Sequence, residues 1–346
     1  MRVLVTGHDG YIGPVLCEQL IADGHEVHGI DVGWFEGCGL QAPAYVPAVW
    51  RDVRDVTPAD FTGFDAVCHL AALSNDPLGE LNPALTEDVN TEASVRVAEA
   101  AKAAGVSRFL FSSSCSTYGA AEEEGLVDEN GALRPQTAYA VSKVRTEERL
   151  SALADSGFTP VYLRNATVYG LAPRLRCDLV VNNLTAWAQT TRRIVLLSDG
   201  SPWRPLVHVR DVATAFAALL AAPRELVHDE AFNVGAPGEN YRVRDVAEIV
   251  GDVVPGCRVE ISADASPDTR SYRVDFTKLQ RLVPEFQPAW TVRPAVAELA
   301  EAYATHGLTE QDFQSSRYVR LRRISELLDD ALLDADLRRP VVQRAA

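Results

Sequence analysis

The sequence predicts an α/β protein built on a doubly wound parallel sheet, with a smaller C-terminal lobe. Three observations carry this. Apolar, β-branched runs alternate with stretches of helical spacing from Arg2 to about residue 170, the order expected of βαβ units. The first run breaks directly into Gly7, Gly10 and Gly13. Residues 64–72 are apolar almost throughout rather than alternating, as a parallel strand covered on both faces should be.

Taken in order, residues 2–6 predict the first strand and 14–23 a helix closed by Gly24. Residues 25–31 read as a second strand ending on Asp31, 32–47 as irregular, and 49–53 as a short strand followed by 64–72. Residues 73–88 read as a polar, proline-containing loop, 89–104 as a helix closed by Gly105, and 108–114 as a strand running into Ser112, Ser113 and Ser114. A turn and long helix occupy 135–153, and 159–165 is another strand. Beyond, 178–191, 212–222 and 244–253 read as helices and 231–235 as a strand and turn. No repeat or Gly/Ser linker separates the lobes, so a cleft between them is expected to hold small ligands.

At 346 residues the chain can bury a substantial core. A net charge of −15 argues against a nucleic-acid backbone or an anionic membrane surface as partner. No apolar run nears the roughly 18 residues of a membrane span; the longest, 212–222, reads as a buried helix. The first strand begins at Arg2, leaving no room for a signal peptide, and the six cysteines form no CxxC pair or zinc spacing. A cytoplasmic protein with reduced thiols is therefore expected.

The glycines carry a specific chemistry. Gly7 lets the chain turn off its strand, Gly10 lets backbone N–H groups approach a pyrophosphate, and Gly13 lets the helix pack on the sheet. The helix N-terminus adds partial positive charge there. An acid about 20 residues later hydrogen-bonds an adenosine ribose in such units. Asp31 stands there and would repel a 2′-phosphate, which favours NAD over NADP. Asp52, after the short strand, is a candidate neighbour of the adenine, and Leu70, Ala71 and Ala72 end their strand in the small residues a dinucleotide needs above it. Tyr139 and Lys143 lie four apart on one helix face. A cation beside a phenol favours the phenolate and makes tyrosine a usable base.

Together, Thr6-Gly7-His8-Asp9-Gly10-Tyr11-Ile12-Gly13, Asp31, Asp52-Val53, His69-Leu70-Ala71-Ala72, Asn90, Ser112 to Ser114 with Tyr118-Gly119, and Tyr139 to Lys143 resemble the extended short-chain dehydrogenase/reductase superfamily. Within it they resemble the NAD-dependent sugar-nucleotide epimerase/dehydratase branch. Arg164 to Gly170, Asn182-Asn183, Arg204, His208, Asp211 and Phe232 to Gly235 extend the likeness. The resemblance implies a Rossmann-type NAD-binding domain over 1–170, with 205–235 returning to it, and a substrate lobe from 171–204 and 236–305. Residues 306–346 would be a helical extension.

NAD contacts are implied for Gly7, Asp9, Gly10, Tyr11, Ile12, Gly13, Asp31, Asp52, Val53, Leu70, Ala71, Ala72, Asn90, Ser112, Tyr139 and Lys143. Tyr139 would take a proton from a sugar hydroxyl while NAD takes hydride from its carbon, Lys143 would lower the Tyr139 pKa, and Ser114 would orient the reacting oxygen. Ser74, Ser114, Asn165, Asn183, Arg204 and Arg270, with Arg273 as the alternative to Arg270, would hold a nucleotide-diphosphate sugar. A homodimer is implied, and His208 is expected to be structural.

The family's 4,6-dehydratases carry an Asp and a Glu after the strand-end hydroxyl. Here Cys115 and Ser116 stand there, so 4-epimerisation is expected, with Cys115 as a small filler. A dehydratase using Cys115 as acid, a keto-sugar reductase and a uronate decarboxylase are the alternatives, and a non-catalytic NAD-sensing protein is the alternative of another class. The loops 32–47 and 73–88 and the tail are expected to select the sugar. In that tail, Tyr318, Leu321, Ile324, Leu327, Leu328, Ala331 and Leu332 form an amphipathic stripe expected to pack on its own domain. Arg317, Arg320, Arg322 and Arg323 are expected to be a solvated face, with a reach of one of them to the substrate as the alternative.

Overall fold

The computed structural model describes residues 1–340 apart from 75, 120–124, 197 and 263–270. Seven strands form the central sheet: β1 (Arg2–Thr6), β2 (Glu26–Asp31), β3 (Ala48–Trp50), β4 (Ala66–His69), β5 (Arg108–Ser114), β6 (Thr159–Asn165) and, after a long excursion, β10 (Glu230–Val234). They run in the order β10-β6-β5-β4-β1-β2-β3, every pair parallel. The period of two along a strand decides which face each side chain serves. Val3 and Val5 join the core beneath α1 (Gly13–Ala22) and α7 (Val209–Ala221), whereas Leu4 joins the opposite core beneath α4 (Ala93–Ala103) and α5 (Ala138–Ser151).

A buried histidine pins the sheet to its covering helix. His69 Nδ1 lies 2.6 Å from Thr6 Oγ1 and its Nε2 lies 2.8 Å from Ser94 Oγ on α4. Burial, with the nearby Lys143 charge, pushes its pKa down to about 3, so the ring is neutral.

Residues 73–88 depart from the loop expected of them. They hold α2 (Asp76–Leu81) and α3 (Pro83–Thr86), and the chain runs on through a π-helical segment, Glu87–Glu92, into α4. Pro83 starts a helix rather than breaking one, because its missing N–H falls in the first turn. Asn82 caps that turn by accepting the Leu85 N–H at 3.1 Å.

The second lobe packs α6 (Val180–Thr191), α9 (Val243–Val253) and α11 (Val292–Thr305) around Val181, Leu184, Val246, Val250 and Leu299. Beside them lie a three-stranded sheet of β7 (Thr167–Tyr169), β9 (Trp203–His208) and β11 (Asn240–Arg242), and a parallel pair, β8 (Arg193–Leu196) and β12 (Arg258–Ile261). One-turn or two-turn helices α8 (Arg224–Val227), α10 (Thr277–Leu282) and α12 (Glu310–Phe313) serve as connectors. His208 is buried, accepts the Arg210 N–H and stacks on Trp290 at 4.2 Å, a packing role. No helix among the described residues is long and apolar enough to cross a membrane.

The tail folds back over the first lobe. From α13 (Arg320–Asp329) and beyond, Ile324, Leu327, Leu333 and Leu337 pack on Trp34, Leu73, Leu85 and Val89. Arg54 fastens it by donating to the Asp336 carbonyl at 2.8 Å. The apolar stripe stops short of the spacing expected: α13 ends at Asp329, Ala331 has a left-handed φ of 54°, and Leu332 is 55% exposed. The tail arginines are a solvated face only in part, at Arg317 and Arg322, which are exposed. Arg317 donates to the Gly39 carbonyl and Arg323 to that of Trp34, while Arg320 is only 3% exposed.

Ile324→Ala should therefore cost about 2–5 kcal/mol of stability, the usual cost of deleting a buried aliphatic side chain. Denaturant unfolding measures it; a loss within about 0.5 kcal/mol, typical of a surface position, would show that this contact is peripheral.

Candidate active site

A cleft of about 1470 Å³ opens between the lobes. It lies over the C-terminal ends of β1, β2, β4, β5 and β6, at the β1/β4 point where strand order reverses, the usual ligand position in such sheets. It exceeds the roughly 300–1,000 Å³ that holds one small ligand, leaving room for two.

The glycine loop leaves no space for side chains. Gly7 has φ +75°, and a Cβ on it would lie 2.8 Å from the Ala71 nitrogen; a Cβ on Gly13 would lie 2.4 Å from the Gly7 oxygen. The N-terminus of α1 has no side-chain cap, so its first N–H groups remain available at the cleft. Asp31 is aimed by two backbone donors, the Asp9 N–H at 3.1 Å on one oxygen and the Gly33 N–H at 2.9 Å on the other. A dinucleotide fits these features: donors for a diphosphate, and beside them an oriented carboxylate for a ribose. Gly10, Tyr11, Ile12, Asp52, Val53, Leu70, Ala71, Ala72 and Ser112 line the same wall. The Asp52 carboxylate there is held by Arg54.

Two residues expected to contact NAD do something else. The Asp9 side chain is 5% exposed and makes two bonds to Arg174, at 2.9 and 3.0 Å, tying the glycine loop to the second lobe. Asn90 is buried in the π-helical segment, where it accepts the Leu73 N–H and donates to the Leu73 carbonyl and Ser142. It holds the chain after β4 against α5.

At the floor of the cleft, Thr137 caps α5 by accepting the Ala140 N–H and donates its own hydroxyl to Asp76 at 2.7 Å. Two residues after that cap, Tyr139 stands by Ser114 at the end of β5, whose hydroxyl draws its pKa down. Lys143 donates to the Ser112 carbonyl at 2.7 Å, with its Nζ 5.6 Å from the Tyr139 ring centre and 4.6 Å from that of Phe111.

The electrostatics differ from the expectation that Lys143 depresses the Tyr139 pKa. Burial pushes Tyr139 up to about 12, with Ser114 pulling against it and Asp76 adding to it. Burial likewise brings Lys143 down to about 7, opposed by the Glu147 carboxylate. Desolvation of both groups outweighs their mutual help, so the protein alone holds a neutral phenol beside a lysine poised to lose its proton.

Cys115 does not reach the cleft. Its sulfur donates to the Arg164 carbonyl at 3.1 Å inside the core, and burial raises the thiol well above its ordinary pKa. The neighbouring Ser116 does line the cleft. The packing of residue 115 beneath β6 therefore removes it as the acid considered from sequence.

Ser74, Asn165, Asn183 and Arg204 line the cleft. Asn165 donates to Ser112 Oγ at 3.0 Å and Asn183 to the Cys177 carbonyl at 2.8 Å, which orients both amides. Arg270 lies outside the described residues. Arg273 stacks its guanidinium 5.2 Å from the Trp203 ring centre. Sequence reading missed Arg176, which is 5% exposed, lines the cleft, donates to Ser74 Oγ at 3.2 Å and is paired with Asp178. Its signal was the charged pair Arg174 and Arg176 in a stretch that otherwise leads into an apolar helix.

A pH test follows for Lys143. The unfolded chain keeps this proton up to about 10.5 and the folded one releases it near 7, so the native state loses stability as pH falls from about 10.5 to about 7. Lys143→Met removes that loss. Its stability relative to wild type should rise by a few kcal/mol on lowering the pH through this window and level off below it; a pH-independent difference in guanidinium melts would refute this.

The model of the NAD dependent epimerase/dehydratase family matches residues 3–235. The chain is 28% identical to the UDP-glucose 4-epimerase of Mycolicibacterium smegmatis over 88% of this chain and 98% of that one. It is 26% identical to UDP-glucuronic acid decarboxylase 1 of Arabidopsis thaliana over 90% of this chain and 72% of that one. The structure of the Thermus thermophilus UDP-glucose 4-epimerase in complex with NAD superposes with a TM-score of 0.74 at 27% identity, covering 88% of this chain and 99% of that one. The family match spans both the glycine loop and the tyrosine helix that meet in this cleft, and the protein is a member of the NAD dependent epimerase/dehydratase family.

Proposed function

We propose that this protein inverts a carbon of a nucleotide-diphosphate sugar, C4 of the hexose, through a transient keto-sugar, with NAD retained between turnovers. The observation that carries the reading is Tyr139, Ser114 and buried Lys143 brought together on a cleft floor where no carboxylate follows the strand-end hydroxyl. NAD, when bound, supplies a reversible hydride acceptor whose positive ring favours the phenolate form of a neighbouring tyrosine.

Tyr139 takes the proton of the C4 hydroxyl as hydride leaves the same carbon, and returns it when hydride comes back on the other face. Ser114 donates to the reacting oxygen and fixes its distance from Tyr139. Lys143, held by the Ser112 carbonyl, presents its remaining N–H groups to the cleft and stabilises the phenolate. The second lobe binds the nucleotide: Asn183 and Arg204 turn amide and guanidinium donors toward the diphosphate, for which a planar fork is suited, while Asn165, at the end of β6, spends its Nδ2 donors on Ser112 Oγ and the Ser113 carbonyl and lines the sugar side of the cleft. UDP is the nucleotide named in the relatives compared above, and it is the first to test. A 4,6-dehydration lacks its acid, because Cys115 is turned into the core.

Incubation of the protein with UDP-glucose and UDP-galactose, followed by NMR and mass analysis, should give interconversion at unchanged mass. Loss of water would transfer the protein to the dehydratases; loss of carbon dioxide from UDP-glucuronate would transfer it to the decarboxylases. Tyr139→Phe should lower kcat by at least about 10²-fold, the lower end for a general acid–base group, while NAD stays bound. Cys115→Ser should retain turnover, and its inactivity in a folded variant would restore the thiol to the mechanism.

A further inference from the structure

The C-terminal extension places an arginine in the cleft that the reading above does not use. Arg320, in the first turn of α13, lines the cleft yet is 3% exposed, and it lies beyond the segment matched by the family model. Its guanidinium stacks over Phe35 at 3.9 Å from the ring centre, and Nη2 donates to the Arg174 carbonyl at 3.2 Å. Nη1 has no hydrogen-bond partner among the described residues.

The surrounding charges do not neutralise it. Arg174 and Arg176 lie close by, and their carboxylates are spoken for: Asp9 takes both bonds from Arg174, and Asp178 takes both from Arg176. Arg320 is left as a third buried cation with no carboxylate in salt-bridge reach among the described residues. Burying an unpaired charge is strongly unfavourable, and an unsatisfied buried donor calls for a reason. Burial and the neighbouring arginines, opposed in part by the Asp178 carboxylate beyond salt-bridge distance, bring its pKa down to about 10.

We propose that Arg320 is an anion-binding side chain of this cleft, contributed by the C-terminal extension, and that its free N–H edge takes an anionic oxygen of a ligand. A guanidinium stacked on an aromatic ring is fixed in plane and matches the paired oxygens of a phosphate or carboxylate. Two sources carry that chemistry here, a diphosphate, of NAD or of the sugar nucleotide, and a carboxylate on the sugar; the sugar-nucleotide arms rest on the proposed function, the NAD arm on the family alone.

Ligand binding to Arg320→Met and Arg320→Lys distinguishes them. Titrations of cofactor-depleted protein with NAD and with adenosine, which lacks the diphosphate, and of NAD-loaded protein with UDP-glucose and UDP-glucuronate, are read by calorimetry. Losing one charge-assisted contact weakens binding by about 10- to 100-fold. Such a loss for NAD but not adenosine assigns the NAD diphosphate. An equal loss for both sugar nucleotides assigns theirs, and a loss for UDP-glucuronate alone assigns a carboxylate. In each case Arg320→Lys should recover part of the affinity.

Thermal melting separates this from a structural role. Removing an uncompensated buried cation should leave the ligand-free Arg320→Met protein as stable as wild type or more so, because the charge is retained for a ligand rather than for the fold. Unchanged affinity for all four ligands overturns the proposal, as does a lowered melting temperature with equal losses for adenosine and NAD. The NAD arm reads binding without turnover, so it stands even if no sugar nucleotide is converted.

Discussion

Parallel strands can be joined only by connections that carry the chain back to the edge from which it started, and that constraint organises the whole molecule. Helices α1, α4 and α5 are such returns, so the chain leaves β1, β2, β4 and β5 on one side of the sheet. Much of the first lobe's chemistry sits just past one of those ends: the glycine loop after β1, Asp31 closing β2, Ala71 and Ala72 after β4, Ser114 closing β5; Tyr139 and Lys143 come to the same edge on α5. Because strand order reverses between β1 and β4, the two loops there part and leave a crevice. Gly7 is required where they meet, since a Cβ would strike the Ala71 backbone.

The second lobe and the tail close that crevice by different physics. The lobe is joined to the glycine loop through a buried ion pair, Asp9 with Arg174, whose two bonds fix orientation as well as proximity. The tail is attached mainly by apolar packing, Ile324 and Leu327 on Trp34 and Leu85, with Arg54 and Arg338 as polar fasteners. A tail held this way can bring a charged side chain to the cleft rim, because the packing that seats α13 bears the desolvation of Arg320.

The floor of the cleft shows how a dry site sets its own protonation. Lys143 is buried and Tyr139 half-buried at the cleft floor, and desolvation is the largest influence on each. The pair is therefore arranged to respond to what binds above it: a positive ring stabilises the phenolate in a place where water does not screen it. Asp76 and Ser114 pull the phenol in opposite directions, Ser114 down and Asp76 up.

What the sequence determined by itself follows from local periodicity and backbone stereochemistry. A strand's period of two, a helix's four-residue spacing and the glycines' missing side chains are properties of neighbours in the chain. They yield the sheet, the glycine loop, Asp31, and the pairing of Tyr139 with Lys143. Residues 73–88 escaped because Pro83 and Asn82 look like loop punctuation and act as a helix start. Only the tertiary structure decided which polar residues face the cleft and how they titrate. Asn90 and Asp9 turned to structural partners, Cys115 turned into the core, and Arg176 and Arg320 turned into the cleft. Burial and partners for these side chains come from segments far apart in the chain, as in Asp9 with Arg174, 165 residues on, or Arg320 over Phe35, and neither burial nor partnership is written in the spacing of a single stretch.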